Sequence, residues 1–175
     1  MQGLLASNKK PWVLLLEEKE DDNAIRIVYL ITISRVKDAC LPDGRAYQDL
    51  STLSHEAVAK AVVTSFNSPL SAGVKGGRPM DDDERVELAI VFREQHEDGD
   101  FHFHVVVKLF RKSRFVSAKR TLRDQFQLPS HFSCSHSLFW SALRYCHIGT
   151  PAKPDVDDKP WVWTPTWTGP AKDCK

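Results

Sequence analysis

Residues 101–110, FHFHVVVKLF, place Phe101, Phe103, Val105, Val107 and Leu109 at one parity and His102, His104, Val106 and Lys108 at the other. Successive side chains of a β-strand point to opposite faces, so this alternation has the period of a strand. One face is oily; the other carries two imidazoles. An oily face has to be buried against another layer, so the segment demands a sheet covered on that side, with the histidines projecting from the reverse. Side chains two apart on one face stand about 7 Å apart at their backbones, which lets both rings converge on a single ion.

The flanking segments supply the rest of such a fold. Asn23 to Arg35 (NAIRIVYLITISR) is rich in branched residues, with Ile25, Ile27, Tyr29, Ile31 and Ile33 sharing one parity, and reads as a central strand. Residues 36–51 read as a loop. From Ser54, an N-cap, Val58, Ala61, Val62 and Phe66 recur at helical spacing until Asn67-Ser68-Pro69 ends the helix. Residues 71–84 are glycine-rich and polar, the composition of a flexible excursion. Val86 to Glu94 pairs with Phe101 to Phe110 as a hairpin, joined through an Asp98-Gly99 turn. Ser117 to Gln127 is an amphipathic helix with Ala118, Thr121, Leu122 and Phe126 inward, His131 to Ser135 a short strand, and Ser137 the cap of a last helix reaching Ile148 and closed by Gly149. The order strand, helix, hairpin, helix, strand, helix is an α+β plan: a mostly antiparallel sheet of about five strands, helices on one face and a site on the other.

With 175 residues, 42% of them hydrophobic and 27% charged, the chain can bury a core as one domain over residues 23–150, preceded by an extension (1–22) and followed by a Pro- and Trp-rich tail (151–175). In that tail, which reads as extended or disordered, the WVW segment suits an edge strand. Trp161, Trp163 and Trp167 are expected to pack on the domain, and Trp140 to lie in the core. No apolar run approaches the ~18 residues of a membrane span, and the N-terminal segment lacks a signal-peptide layout. Cys40, Cys134, Cys146 and Cys174 are too far apart in sequence to suggest a zinc ribbon or disulfide framework, which points to reduced thiols in an intracellular protein.

A net charge of +1 argues against a polyanionic partner until its distribution is inspected. Acids cluster at both ends and in the glycine-rich segment, whereas Val105 to Arg123 contains no acid and seven bases, Lys108, Arg111, Lys112, Arg114, Lys119, Arg120 and Arg123. Beside two convergent histidines this run reads as a phosphate-binding stripe. Glu94, eight residues before His102 on the returning strand, is the carboxylate best able to join the rings. It shares its parity with the apolar Val86, Leu88, Ile90 and Phe92, so a bulge near Arg93, or an end to regular pairing there, is expected to bring it to the histidine side. The rival ligands are His96, Glu97, Asp98 and Asp100. Two imidazoles and a carboxylate with open positions suit Mn²⁺ or Mg²⁺.

REQHEDGDFHFHVVVKL, residues 93–109, resembles the metal motif of rolling-circle replication initiators of the HUH endonuclease superfamily, especially those of plant single-stranded DNA viruses and related eukaryotic transposons. The resemblance spans residues 23–150 in order of elements, with Glu94, His102 and His104 at the metal-ligand positions. It implies an α+β nuclease that nicks and rejoins single-stranded DNA through a 5′-phosphotyrosine, in replication or transposition. It also implies a helicase or other domains in a larger parent protein and, for a eukaryotic or viral source, a nuclear location. Tyr29 to Arg35 matches a DNA-contacting element in character, which makes Ser34 and Arg35 candidates. Of the three tyrosines, Tyr145 stands on a helix beyond the metal strands, where the family has its nucleophile, on a face shared with Leu138 and Ala142. The family commonly has a Lys three residues later; this chain has Ile148, leaving His147, Arg144 or Lys153 to neutralise phosphate. A non-catalytic single-strand-binding module and another two-His-one-carboxylate metalloenzyme are the alternatives. No P-loop pattern occurs.

Overall fold

The structure of the protein, a computed structural model, describes residues 20–35, 39–67, 85–95, 100–148, 157 and 159–171. Six antiparallel strands form one sheet in the order β4-β1-β3-β2-β5-β6. They are β1 (Ile25–Ser34), β2 (Val86–Gln95), β3 (Phe101–Arg114), β4 (Ser130–Phe132), β5 (Trp161–Thr164) and β6 (Trp167–Pro170). Three α-helices accompany them: α1 (His55–Asn67), α2 (Val116–Asp124) and α3 (Phe139–His147). The expected turn at Asp98-Gly99, the excursion at 71–84 and the closing Gly149 lie outside the described residues.

Helix α1 starts where Ser54 Oγ accepts a hydrogen bond from the Ala57 N–H (3.1 Å), satisfying a first-turn donor. It ends at Asn67, whose side-chain oxygen accepts from the Arg85 N–H (2.9 Å) at the entry to β2. Its buried face, including Val58, Ala61, Val62 and Phe66, joins α2 residues Ala118 and Leu122 over the odd-numbered side of the sheet, Tyr29, Ile31, Ile33, Ala89, Val91, Phe103, Val105 and Val107. Phe103 is fully buried there. Truncating such a ring to Ala costs about 3–5 kcal/mol in transfer and cavity terms. Tyr29 is held in this core by donating its hydroxyl proton to the Ser113 carbonyl, and burial pushes its pKa up.

The opposite face is not bare. Val28, Leu30, Phe92 and Val106 form a second, smaller core there, closed by Ala142 and Cys146 of α3. This explains the parity of β2: Ile90 and Phe92 are apolar because they face α3, and Glu94 continues the same face with regular pairing to His102. The register shift in this hairpin falls between Val86 and Leu88, so the bulge expected near Arg93 is absent and unnecessary. A second shift, between Arg26 and Val28, breaks the parity of β1, leaving Ile25 and Ile27 exposed where sequence alternation expected them buried.

Three further expectations are corrected. The WVW segment is the strand β5, as expected, but not at the edge: it pairs with β2 on one side and β6 on the other, so β6 is the edge and the sheet has six strands. Trp161 and Trp163 pack on the larger core, and Gly169 lies so close beneath the Trp167 ring that a Cβ would meet it at 2.9 Å. Trp140 is 76% exposed rather than in the core. Ser137 does not cap α3; Leu138 is the N-cap residue, has no side-chain cap bond and is itself exposed, so only Ala142 and Tyr145 of the expected face dock.

Candidate metal centre and tyrosine

The two central strands of the hairpin carry the site. Glu94 and His102 are register partners across β2 and β3, and His104 follows on the same face. Glu94 Oε2 lies 2.9 Å from His102 Nε2 and 3.2 Å from His104 Nε2, while the two Nε2 atoms are 3.0 Å apart. All three residues are buried. A carboxylate and two imidazoles are costly to bury unless they satisfy one another or an ion, and here their lone-pair atoms point at a common centre. This trio is the one group of three or more His, Cys, Asp or Glu side chains among the described residues with the geometry to hold a metal ion.

β1 supports the ligand set from the other side. Thr32 is the register partner of His104, and its Oγ1 stands 3.2 Å from His104 Nδ1. With Nδ1–H donating to that hydroxyl, Nε2 keeps its lone pair for an ion. Thr32 escaped the sequence reading because nothing marks a single Thr in a strand until the register is known.

Tyr145 reaches this cluster from α3. Its ring meets that of His104 edge-on, with centroids 5.6 Å apart and planes at 87°. On its other side lies His136, 4.7 Å away between centroids. His136 Nδ1 is 3.2 Å from Ser133 Oγ, and that buried hydroxyl also accepts from the Ser135 N–H (3.2 Å), so the segment before α3 is folded to present the ring. His136 belongs to no spacing motif; only the turn between β4 and α3 brings it to Tyr145.

The remaining candidates are dispersed. Ser34 borders the site as the register partner of His102, and Arg35 beyond it pairs with Asp100 at 2.9 Å. Lys108 is on the site face but is paired with Glu87 at 2.6 Å. Arg111, Lys112 and Arg114 are exposed at the far end of β3, beyond the register shift opposite Arg26 and Val28. The chain then turns at Phe115, and α2 packs on the opposite face of the sheet. Lys119, Arg120 and Arg123 are carried there, Lys119 paired with Glu20 and Arg123 with Asp124. The structure does not bring these three to the site. Of the rival ligands, Asp100 is engaged by Arg35, and His96, Glu97 and Asp98 lie outside the described residues. Near Tyr145, Arg144, His147 and Ile148 are exposed; Lys153 is outside the described residues.

No helix among the described residues is long and apolar enough to cross a membrane. Cys40, Cys134 and Cys146 form no disulfide. No protein-family model matches the chain, and no curated protein or solved structure matches it.

Proposed function

We propose that the protein is a metal-dependent endonuclease that nicks single-stranded DNA and transfers the strand through Tyr145, in rolling-circle replication or transposition. The observation that carries this reading is the meeting of a buried Glu94–His102–His104 cluster with the ring of Tyr145 on one face of the sheet. An isolated ligand trio suits many metalloenzymes, but a phenol packed against one of its imidazoles adds a nucleophile. The motif resemblance of residues 93–109 supports the same assignment.

Glu94, His102 and His104 would hold the ion. Two imidazoles and one carboxylate with open positions would suit Mn²⁺ or Mg²⁺. Once bound, such an ion withdraws charge from a non-bridging phosphate oxygen.

The protein's own groups do the rest. Tyr145 Oη forms a bond to phosphorus as the P–O3′ bond breaks; the phenol gives up its proton and the departing 3′ oxygen takes one up. The products are a 3′-OH and a 5′-phosphotyrosine, and attack on that ester by another 3′-OH restores a phosphodiester without ATP. His136 and His104 flank the phenol and hold its ring in place.

The test is incubation of an oligonucleotide pool of randomised sequence, labelled at either end, with the protein and Mn²⁺. The 3′-labelled fragment is expected to co-migrate with protein, the 5′-labelled fragment to be released with a free 3′-OH, and Tyr145→Phe to abolish both. A Tyr145→Phe protein that still forms the covalent product would overturn the assignment.

A further inference from the structure

We infer that Trp140, Arg144 and His147 form a subsite that stacks one base of single-stranded DNA and holds its neighbouring phosphates, a reading that rests on the proposed function and deepens it. Helix α3 docks on the sheet through Ala142 and Cys146, with Tyr145 facing His104. Trp140, Arg144 and His147 are spaced i, i+4 and i+7, so they share one stripe of the helix, and all three are exposed. Trp140, at 76%, is the most exposed large hydrophobic side chain among the described residues, and the Phe139 ring meets it edge-on at 5.2 Å. An indole held toward solvent on the same helix stripe as a guanidinium and an imidazole offers a stacking surface with a cation and a further hydrogen-bonding group along it.

Charge selects the occupant. Residues 125–154 contain no Asp or Glu, so no acidic side chain flanks the indole along the chain. An apolar protein surface or a lipid layer would be served by the exposed Leu138 and Trp140 alone; a polyanion uses Arg144 and His147 as well. Within a duplex the base faces are stacked on one another, whereas a single strand can lay one on an aromatic ring. Trp140 lies about 7.5 Å along the helix axis from Tyr145 and about 140° around it, so a base stacked there would belong to a nucleotide some positions from the cut, on strand that passes over the outer face of α3.

The experiment measures binding without cleavage: the full chain with Tyr145→Phe, in EDTA, titrated against a fluorescein-labelled mixed-sequence 20-mer and against the same sequence as a duplex, read by anisotropy. Trp140→Ala is expected to weaken single-strand binding about tenfold, equivalent to about 1.4 kcal/mol, with Trp140→Phe recovering most of it and duplex binding little changed. Arg144→Ala is expected to weaken binding and flatten its salt dependence. Unchanged single-strand affinity in Trp140→Ala overturns the inference, as does an equal loss for duplex, or binding only to anionic vesicles in a flotation control. Trp140→Ala with weakened binding, in a protein that never cleaves with Mn²⁺, keeps the subsite and sinks the nicking reaction. Cleavage with unaltered Trp140→Ala binding does the reverse.

Discussion

Glu94 and His102 stand directly opposite each other on the two innermost strands of the hairpin, with Oε2 and Nε2 2.9 Å apart. A bond between register partners on paired strands needs no loop to form it, so the site is preorganised to the extent that the sheet is. Mn²⁺ is therefore expected to raise the melting temperature of the wild-type protein. Separate His102→Ala and His104→Ala variants should lose that response, because an ion binding only the folded state stabilises it by mass action. Differential scanning fluorimetry with and without EDTA checks this; an undiminished Mn²⁺ response in both variants would remove the trio from consideration.

His136→Ala should separate the tyrosine's support from the ion's. Its ring packs on Tyr145 and not within the ligand trio. The expected outcome is a rate of covalent product formation lower by about tenfold or more, the scale of losing a positioned acid–base or orienting group. The Mn²⁺ melting shift should stay at its wild-type value. Equal rates for variant and wild type would reduce the contact to packing.

Asp157 joins the C-terminal hairpin to the rest of the fold: its Oδ2 lies 2.6 Å from His55 Nε2 of α1 and accepts from the Arg93 N–H (2.8 Å) of β2. Burial alone raises its pKa, but the His55 contact and the Arg93 and Lys159 N–H groups outweigh that, and the net shift is downward. A depressed folded-state value means the unfolded chain binds the proton more readily, so this carboxylate stabilises the fold above the ordinary Asp range of about 4. That contribution is lost as pH falls through the lower folded value. Urea midpoints from pH 5 down to pH 2 should therefore fall more steeply for wild type than for Asp157→Asn; parallel curves would contradict the role.

Ending the chain at residue 156 removes β5 and β6. The edge of β2 would lose its partner, and the larger core would lose Trp161 and Trp163. From the apolar area of two half-buried indoles the expected loss is about 3–5 kcal/mol, with association through the freed edge. Chemical denaturation and size-exclusion chromatography read both effects. A monomer of undiminished stability would show the hairpin to be dispensable.

What the sequence disclosed and what it hid have physical causes. The alternation at 101–110 needs only the period of a strand, and it correctly assigned Phe103 and Val105 to the larger core and His102 and His104 to the reverse face. Glu94 was identified by its spacing from His102, and its shared parity with Ile90 and Phe92 holds; what alternation could not tell is that those apolar residues are buried on the histidine side. There α3 makes a second core. The basic run looked continuous because sequence has no turn at Phe115 written into its charges. Folding sends Arg111 to the far end of β3 and Arg120 to the other face. Trp140 resembled core by its chemistry alone, and His136 resembled nothing until β4 and α3 were in place.

Helix α3 rests on the sheet through a methyl group, Ala142, and a thiol, Cys146. Together with Phe139 and Leu143, which pack against the same small core, those two side chains set how far the phenol stands off from the imidazoles. Lengthening that spacer, as Ala142→Leu would, retracts the tyrosine while leaving every member of the ligand trio where it was.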